Sequence, residues 1–209
     1  MPNRSRSALV CGVWNVFRQK ADGSGEPVLL VSSTENQIPY SWSSDGRVLA
    51  YTQVSPTTGS DVWLSSEPGR TTRPLLSSAF NESQPSMSPD GKRLVYVSDE
   101  SGKSEVYVTS FPAVGGRTLI AIDGGEEPVW SPAGNELFYR NGQRWMVVTT
   151  STQPTFDASR PRLLFEGNCL NVSGLSYDLT ADGRRFILIR ASMLRPRARS
   201  TWCSTGSRS

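Results

Sequence analysis

Acidic and amide side chains recur in short groups along this chain: Glu35, Asn36 and Gln37, then Glu82 with Gln84, then Glu126 with Glu127. Asp45, Asp90 and Asp182 each stand immediately before a glycine. Carboxylates in such patterns are candidates for cation binding, for general acid–base work, or for accepting backbone N–H groups in turns. The 209 residues include no histidine. That excludes from this chain a Ser-His-Asp or Cys-His nucleophile system, an imidazole metal ligand and the His-Arg-Asp catalytic loop of a kinase. No G-x-S-x-G elbow occurs either. The three Asp residues belong to different repeats, each with a local role, so turn chemistry is preferred to calcium. ADGSGEP at 21–27 lacks the Gly-Lys-Ser/Thr ending of a phosphate loop and reads as a hairpin loop. No catalytic residue, metal ligand or cofactor is assigned.

Other reactive or sticky residues lead no further. Cys11, Cys169 and Cys203 form no C-x-x-C motif, which supports neither a disulfide framework nor a zinc site. Trp42, Trp63, Trp130 and Trp145 could stack on carbohydrate, but their repeat positions favour burial. Sequons at Asn3, Asn81 and Asn171 are expected by chance in a Ser/Thr-rich chain. Seven of the 22 Lys+Arg lie from Arg184 onward, leaving 15 against all 19 acids in residues 1–183, a net of −4 there. A mildly acidic body and a solvated Ser/Arg-rich end give no nucleic-acid partner. No apolar run approaches the roughly 18 residues of a membrane helix, and the opening MPNRSRSALVCGVW reads as a strand rather than a secretory signal.

The elements that must position these residues come from an internal repeat. YSWSSDGRVLAY (40–51), PSMSPDGKRLVY (85–96), PVWSPAGNELFY (128–139) and YDLTADGRRFIL (177–188) share one pattern, with turn glycines Gly46, Gly91, Gly134 and Gly183. A repeat of about 45 residues corresponds to one four-stranded propeller blade. Each copy predicts a β-hairpin: proline presets the first turn position, Asp accepts from backbone N–H groups, and Gly takes the left-handed conformation. The strand after the turn is apolar on both faces (Leu49-Ala50-Tyr51, Leu94-Val95-Tyr96, Leu137-Phe138-Tyr139), so both faces must be covered, as stacked blades achieve. Third strands are predicted at 60–65, 104–110 and 143–148, and fourth strands at 73–76, 117–122 and 161–165. The strands at 15–19 and 26–32 lack their hairpin, and no third or fourth strand is legible after 188.

The expected fold is therefore all-β, a partial β-propeller of about four four-stranded blades plus an incomplete N-terminal blade. Residues 1–34 form that incomplete blade, 35–191 the propeller blades and 192–209 an irregular basic tail. Uncovered faces on the terminal blades would forfeit on the order of 5–10 kcal/mol, so self-association is expected.

The phrases WSSDGR, MSPDGK, WSPAGN, QKADGSGEPVLL (19–30), SPAGNELFYRNGQRWMVV and RPRLLFEG resemble a TolB-like, WD-repeat-like propeller. The likeness covers residues 13–190 and is most similar to the propeller C-terminal to bacterial transmembrane serine/threonine kinases. It implies a non-enzymatic module that binds a ligand or a protein or peptide partner near the central channel, in a periplasmic or extracytoplasmic setting. The alternative is the propeller portion of a prolyl-oligopeptidase-type peptidase lacking its catalytic domain. Glu35, Asn36, Gln37, Glu82, Gln84, Glu126 and Glu127, just before the innermost strands, are the expected channel-mouth residues. Ala133 departs from the turn Asp and Met87 from the strand Trp. The family's Asn-Trp-Phe-Glu-Glu-like ending is absent, and a one-nucleotide frame shift over TWCSTGSRS would restore such a string, an expectation that the DNA sequence tests.

Overall fold

A computed structural model describes residues 12–66, 71–151, 155–168, 170 and 174–190. The expected tail at 192–209 and all three cysteines lie outside the described residues. Seventeen strands and no helix make up the described part, so no helix there is long and apolar enough to cross a membrane.

The chain starts with a two-stranded pair, β1 (Val16–Arg18) and β2 (Val28–Val31). The first full blade follows in sequential order: β3 (Asn36–Trp42), β4 (Val48–Ser55), β5 (Gly59–Ser66) and β6 (Thr71–Leu76). The second blade holds β7 (Glu82–Met87), β8 (Arg93–Ser98), β9 (Glu105–Ser110) and β10 (Arg117–Leu119). The third holds β11 (Glu126–Trp130), β12 (Glu136–Asn141), β13 (Arg144–Ser151) and β15 (Arg162–Glu166), with the short β14 (Asp157–Ala158) also on β13. The last pair is β16 (Tyr177–Leu179) and β17 (Phe186–Leu188). All pairings are antiparallel meanders, and the expected repeat resolves into three full blades between two half-blades.

Each hairpin turn is built from the same atoms. In the second blade Gly91 N donates to Ser88 O (2.9 Å), closing the turn. The Ser88 hydroxyl donates to Asp90 Oδ1 (2.6 Å) and accepts from Arg93 N (2.9 Å), while Asp90 Oδ1 also accepts from Lys92 N (3.0 Å). Ser43 with Asp45, and Thr180 with Asp182, repeat this arrangement. Where Ala133 replaces the acid, the Ser131 hydroxyl turns instead to Asn135 Oδ1 (3.1 Å). The glycines sit at φ 67–72°, where a Cβ meets the backbone and only glycine is unstrained. Hydrogen bonds to the carboxylates, the hydroxyl's first, hold Asp45 and Asp182 below the usual Asp range. At Asp90 partial burial pushes upward, but the Ser88 and Lys92 bonds win and the shift is downward.

Burial follows the predicted two-faced pattern. Leu49, Ala50, Tyr51, Leu94, Val95, Tyr96, Leu137, Phe138 and Tyr139 are all buried. Their alternating faces form separate clusters between successive sheets: Val16, Leu30 and Val31 with Leu49 and Tyr51; Ala50, Val62 and Leu64 with Leu94 and Tyr96; Val95, Val106 and Val108 with Leu137 and Tyr139; and Phe138, Trp145 and Val147 with Tyr177. The core is thus a series of interblade layers, each burying apolar surface worth about 25 cal/mol per Å². The tryptophans divide. Trp130 and Trp145 are buried, Trp63 is half-buried, and Trp42, expected to be buried, is 41% exposed.

Candidate binding groove at the propeller centre

The innermost strands β3, β7, β11 and β16 come from successive sheets, and together they line one groove of about 450 Å³. The residue three before each turn hydroxyl lines it in every repeat: Tyr40, Pro85, Pro128 and Tyr177. Gln84, Ser86 and Asp178 add polar atoms, and Ile187 and Ile189 add apolar surface. Two features of the local sequence aim these side chains. The β7–β8 and β11–β12 ladders slip in register across Gln84-Pro85 and Glu127-Pro128, and Gln84 and Glu127 adopt left-handed φ values of 54° and 55°. Proline removes a ladder N–H and fits such a bulge.

Those left-handed residues carry a relay of hydrogen bonds across the blades. Gln84 N donates to Thr52 Oγ1 of the first blade (3.2 Å), and Gln84 Oε1 accepts from Glu127 N of the third (2.6 Å). Glu127 Oε2 then accepts from Ser176 N (3.0 Å) and Ser176 Oγ (2.5 Å) of the last half-blade, and its carbonyl accepts from Tyr177 Oη (2.6 Å). Its other carboxylate oxygen meets Arg140 Nη2 at 2.7 Å, with both side chains 3% exposed. Ser41 Oγ accepting from Met87 N (3.1 Å), and Trp130 Nε1 donating to Ser86 O (3.2 Å), stitch the same junctions. Burial raises the Tyr40 phenol to about 12, helped by the Glu127 charge, and burial holds that of Tyr177 well above its ordinary value. Both hydroxyls stay protonated at neutral pH, and that of Tyr177 is the donor to the Glu127 carbonyl.

The seven side chains expected at the channel mouth scatter. Gln84 alone among them lines the groove. Glu35 Oε2 accepts from Gln53 Nε2 of β4 (2.7 Å), and Asn36 Oδ1 accepts from Trp14 N (2.9 Å), the latter tying the segment before β1 to the first blade. Gln37 is buried, its amide facing Val31 O and Ser33 Oγ at 3.1 Å each. Glu82 is buried against Ser78; desolvation raises its pKa, opposed by the Ser78 bonds. Glu127 is in the buried relay, and Glu126 is exposed. Sequence reading placed these residues at the mouth because they stand just before each innermost strand. Alignment of the repeats on their turn glycines carries the better signal, since the groove position falls six residues before each one. Among the described residues no cluster of three or more Cys, Asp or Glu could hold a metal ion.

No family model matches the chain. The Tol-Pal system protein TolB of Anaeromyxobacter sp. strain K is 38% identical over 127 residues, covering 57% of this chain and 27% of that protein. The crystal structure of TolB from Acinetobacter baumannii superposes with a TM-score of 0.60 at 21% identity, over 83% of this chain and 42% of that one. A puromycin-hydrolyzing peptidase of Mycobacterium tuberculosis gives 0.60 at 17% identity, over 83% and 31%. The chain spans half or less of the length of the curated relatives it matches. At these identities the structural likeness establishes the fold, a partial β-propeller of the TolB-like kind.

Proposed function

We propose that this chain is a non-enzymatic propeller module that seats an extended peptide of a partner protein in its central groove. The observation that carries the reading is the recurrence of Tyr40, Pro85, Pro128 and Tyr177 at one repeat position on the groove wall. Tyrosine and proline rings beside spaced polar groups suit extended, proline-rich or strand-like segments, which lose little entropy on binding. Gln84, Ser86 and Asp178 supply directional contacts. The match to a TolB named for the Tol-Pal system supports a protein ligand. The finer assignment is to a fragment of the sensor or scaffold region of a bacterial receptor-type serine/threonine kinase or of a TolB-like protein, supported by the sequence phrases that resemble such propellers. The second reading, the propeller of a prolyl-oligopeptidase-type peptidase, draws on the fold shared with the mycobacterial peptidase. An upstream kinase with a membrane span, or a downstream α/β-hydrolase, separates the two.

The test is a displayed library of random 12-residue peptides panned on the full chain, with each recovered peptide titrated against Tyr40→Ala and Ile187→Arg variants. Affinity should fall about tenfold or more in both, about 1.4 kcal/mol. Unchanged affinity in variants of native circular dichroism would remove the groove as the binding site.

A further inference from the structure

The third blade leaves open a place that the second fills with its own side chains. Tyr51, Tyr96 and Tyr139 share one repeat position, and across the ladder from them stand Trp63, Tyr107 and Met146. In the second blade the Tyr107 ring stacks on Tyr96 with centroids 5.8 Å apart, Arg117 lies beside the Tyr96 hydroxyl, and Glu100 pairs with Arg117 at 2.5 Å. In the third blade methionine replaces the ring. Pro161 takes the place of Arg117, since the residues that follow them, Arg162 and Thr118, pair with the equivalent Val147 and Val108. A cavity of about 380 Å³ lies there, between the second and third blades.

We propose that this cavity binds a small aromatic carboxylate, its ring seated between Ile122, Met146 and Pro161 and its carboxylate held by the Tyr139 hydroxyl with Arg144 and Arg160. Tyr139 is 2% exposed, and its hydroxyl has no hydrogen-bond partner among the described residues, yet it lines the cavity and is not sealed in. Burial, then the charges of Asp123 and Glu105, raise this phenol to about 12, so at neutral pH it is a donor in want of an acceptor. Both of those acids face Lys103 Nζ, at 3.8 and 3.3 Å, which leaves the arginines to attract an anion. Arg144 stands where the second blade has Glu105, so the rim charge is reversed. Arg144 bonds Glu166 through Nε alone, and Arg160 is in no ion pair among the described residues. A carboxylate suits a hydroxyl and guanidinium groups together. The methionine sulfur and the guanidinium planes both favour an aromatic ring over an aliphatic body, and Ile122, 62% exposed, gains cover. One wall comes from the second blade and is fixed in advance: Lys103 Nζ donates to Ile122 O and Asn141 Nδ2 to Asp123 O, each at 3.0 Å. The volume falls in the range of small-molecule pockets. None of these residues lines the central groove, so the proposal is independent of the peptide-binding reading.

Titration of the full chain with phenylacetate, followed by ligand-observed NMR, tests it, with an expected Kd of about 0.1–1 mM for so small a ligand. Phenylacetamide, which lacks the charge, should bind about tenfold more weakly or worse, and cyclohexylacetate, which lacks the aromatic face, several-fold more weakly. Tyr139→Phe and Arg160→Gln should each weaken phenylacetate about fivefold or more. Met146→Tyr restores the ring of the second blade and should abolish binding by filling the cavity. Arg160 is exposed, so Arg160→Gln decides the matter even if a variant at a buried position fails to fold. No binding of phenylacetate up to about 10 mM, equal binding of phenylacetamide, or undiminished affinity in Arg160→Gln or in a natively folded Met146→Tyr would each overturn the proposal.

Discussion

Two buried glutamates set opposite expectations at the residue scale. Glu127 is enclosed by Arg140, Ser176 and the Tyr177 hydroxyl beside its own carbonyl, so its charge is matched and its hydrogen bonds are filled. Glu127→Gln keeps the shape but removes the charge that Arg140 faces inside the protein, and breaking a buried pair costs about 3–5 kcal/mol. Glu82 has no cation in an ion pair among the described residues and feels Asp61 and Asp99 nearby. Burial, its largest influence, raises its pKa, so the folded state favours the protonated form, and that contribution is lost as pH rises. Glu82→Gln therefore leaves the thermal midpoint at pH 7 unchanged or raises it by a few degrees. Thermal unfolding of the two variants side by side checks both. A large loss in Glu82→Gln would show that the Ser78 bonds outweigh desolvation.

At the scale of the element, the turns were legible and the junctions between blades were not. Gly91 and its equivalents announce themselves because an Asp-Gly or similar pair just before a strand apolar on both faces is the local signature of a tight hairpin. Gly125 gives no such sign. A Cβ there would lie 2.8–2.9 Å from Ala121, Tyr139 and Val106, which meet where the second and third blades pack. Gly125→Ala thus overpacks a core layer, at about 1–3 kcal/mol, whereas a Cβ at Gly91 meets only the Ser44 hydroxyl, at an ordinary 3.7 Å, and costs about 1 kcal/mol of backbone strain. Urea midpoints should rank wild type, then Gly91→Ala, then Gly125→Ala; the reverse order would place the tight contact at the turn. The burial of acids expected at the mouth was not legible for a related reason. Whether Glu127 faces water depends on Arg140, thirteen residues away on the paired strand, and on a register slip that propensity does not encode. Turn acids also give the hairpins an acid limit. Asp45, Asp90 and Asp182 sit below their ordinary pKa, so they stabilise the fold above about pH 4 and release that contribution as pH falls further. Replacing all three by Asn should flatten the stability curve between about pH 4 and pH 2.

For the whole molecule, the titratable composition is lopsided: no histidine and six tyrosines. All six phenols are raised, chiefly by burial; Tyr40, Tyr51, Tyr96 and Tyr139 reach about 12, Tyr107 rises, and Tyr177 lies well above its ordinary value. Burial penalises the phenolate, so the native state holds protons that the unfolded chain gives up near pH 10. The tyrosine contribution is therefore complete below about pH 10, where both states are protonated, and is lost as pH climbs from there toward 12. These rings are spread over every interblade layer, from Tyr51 against the first half-blade to Tyr177 against the third blade, so the loss acts on all junctions together. The expected outcome is a thermal midpoint nearly flat between about pH 6.5 and 8, where histidine would otherwise titrate, followed by a steep fall above about pH 10. Tyrosinate absorbance at alkaline pH should rise together with the loss of β-sheet circular dichroism, in one cooperative step. Absorbance that titrated smoothly near pH 10 with the circular dichroism intact would mean that the phenols face water and that the stacked layers do not enclose them.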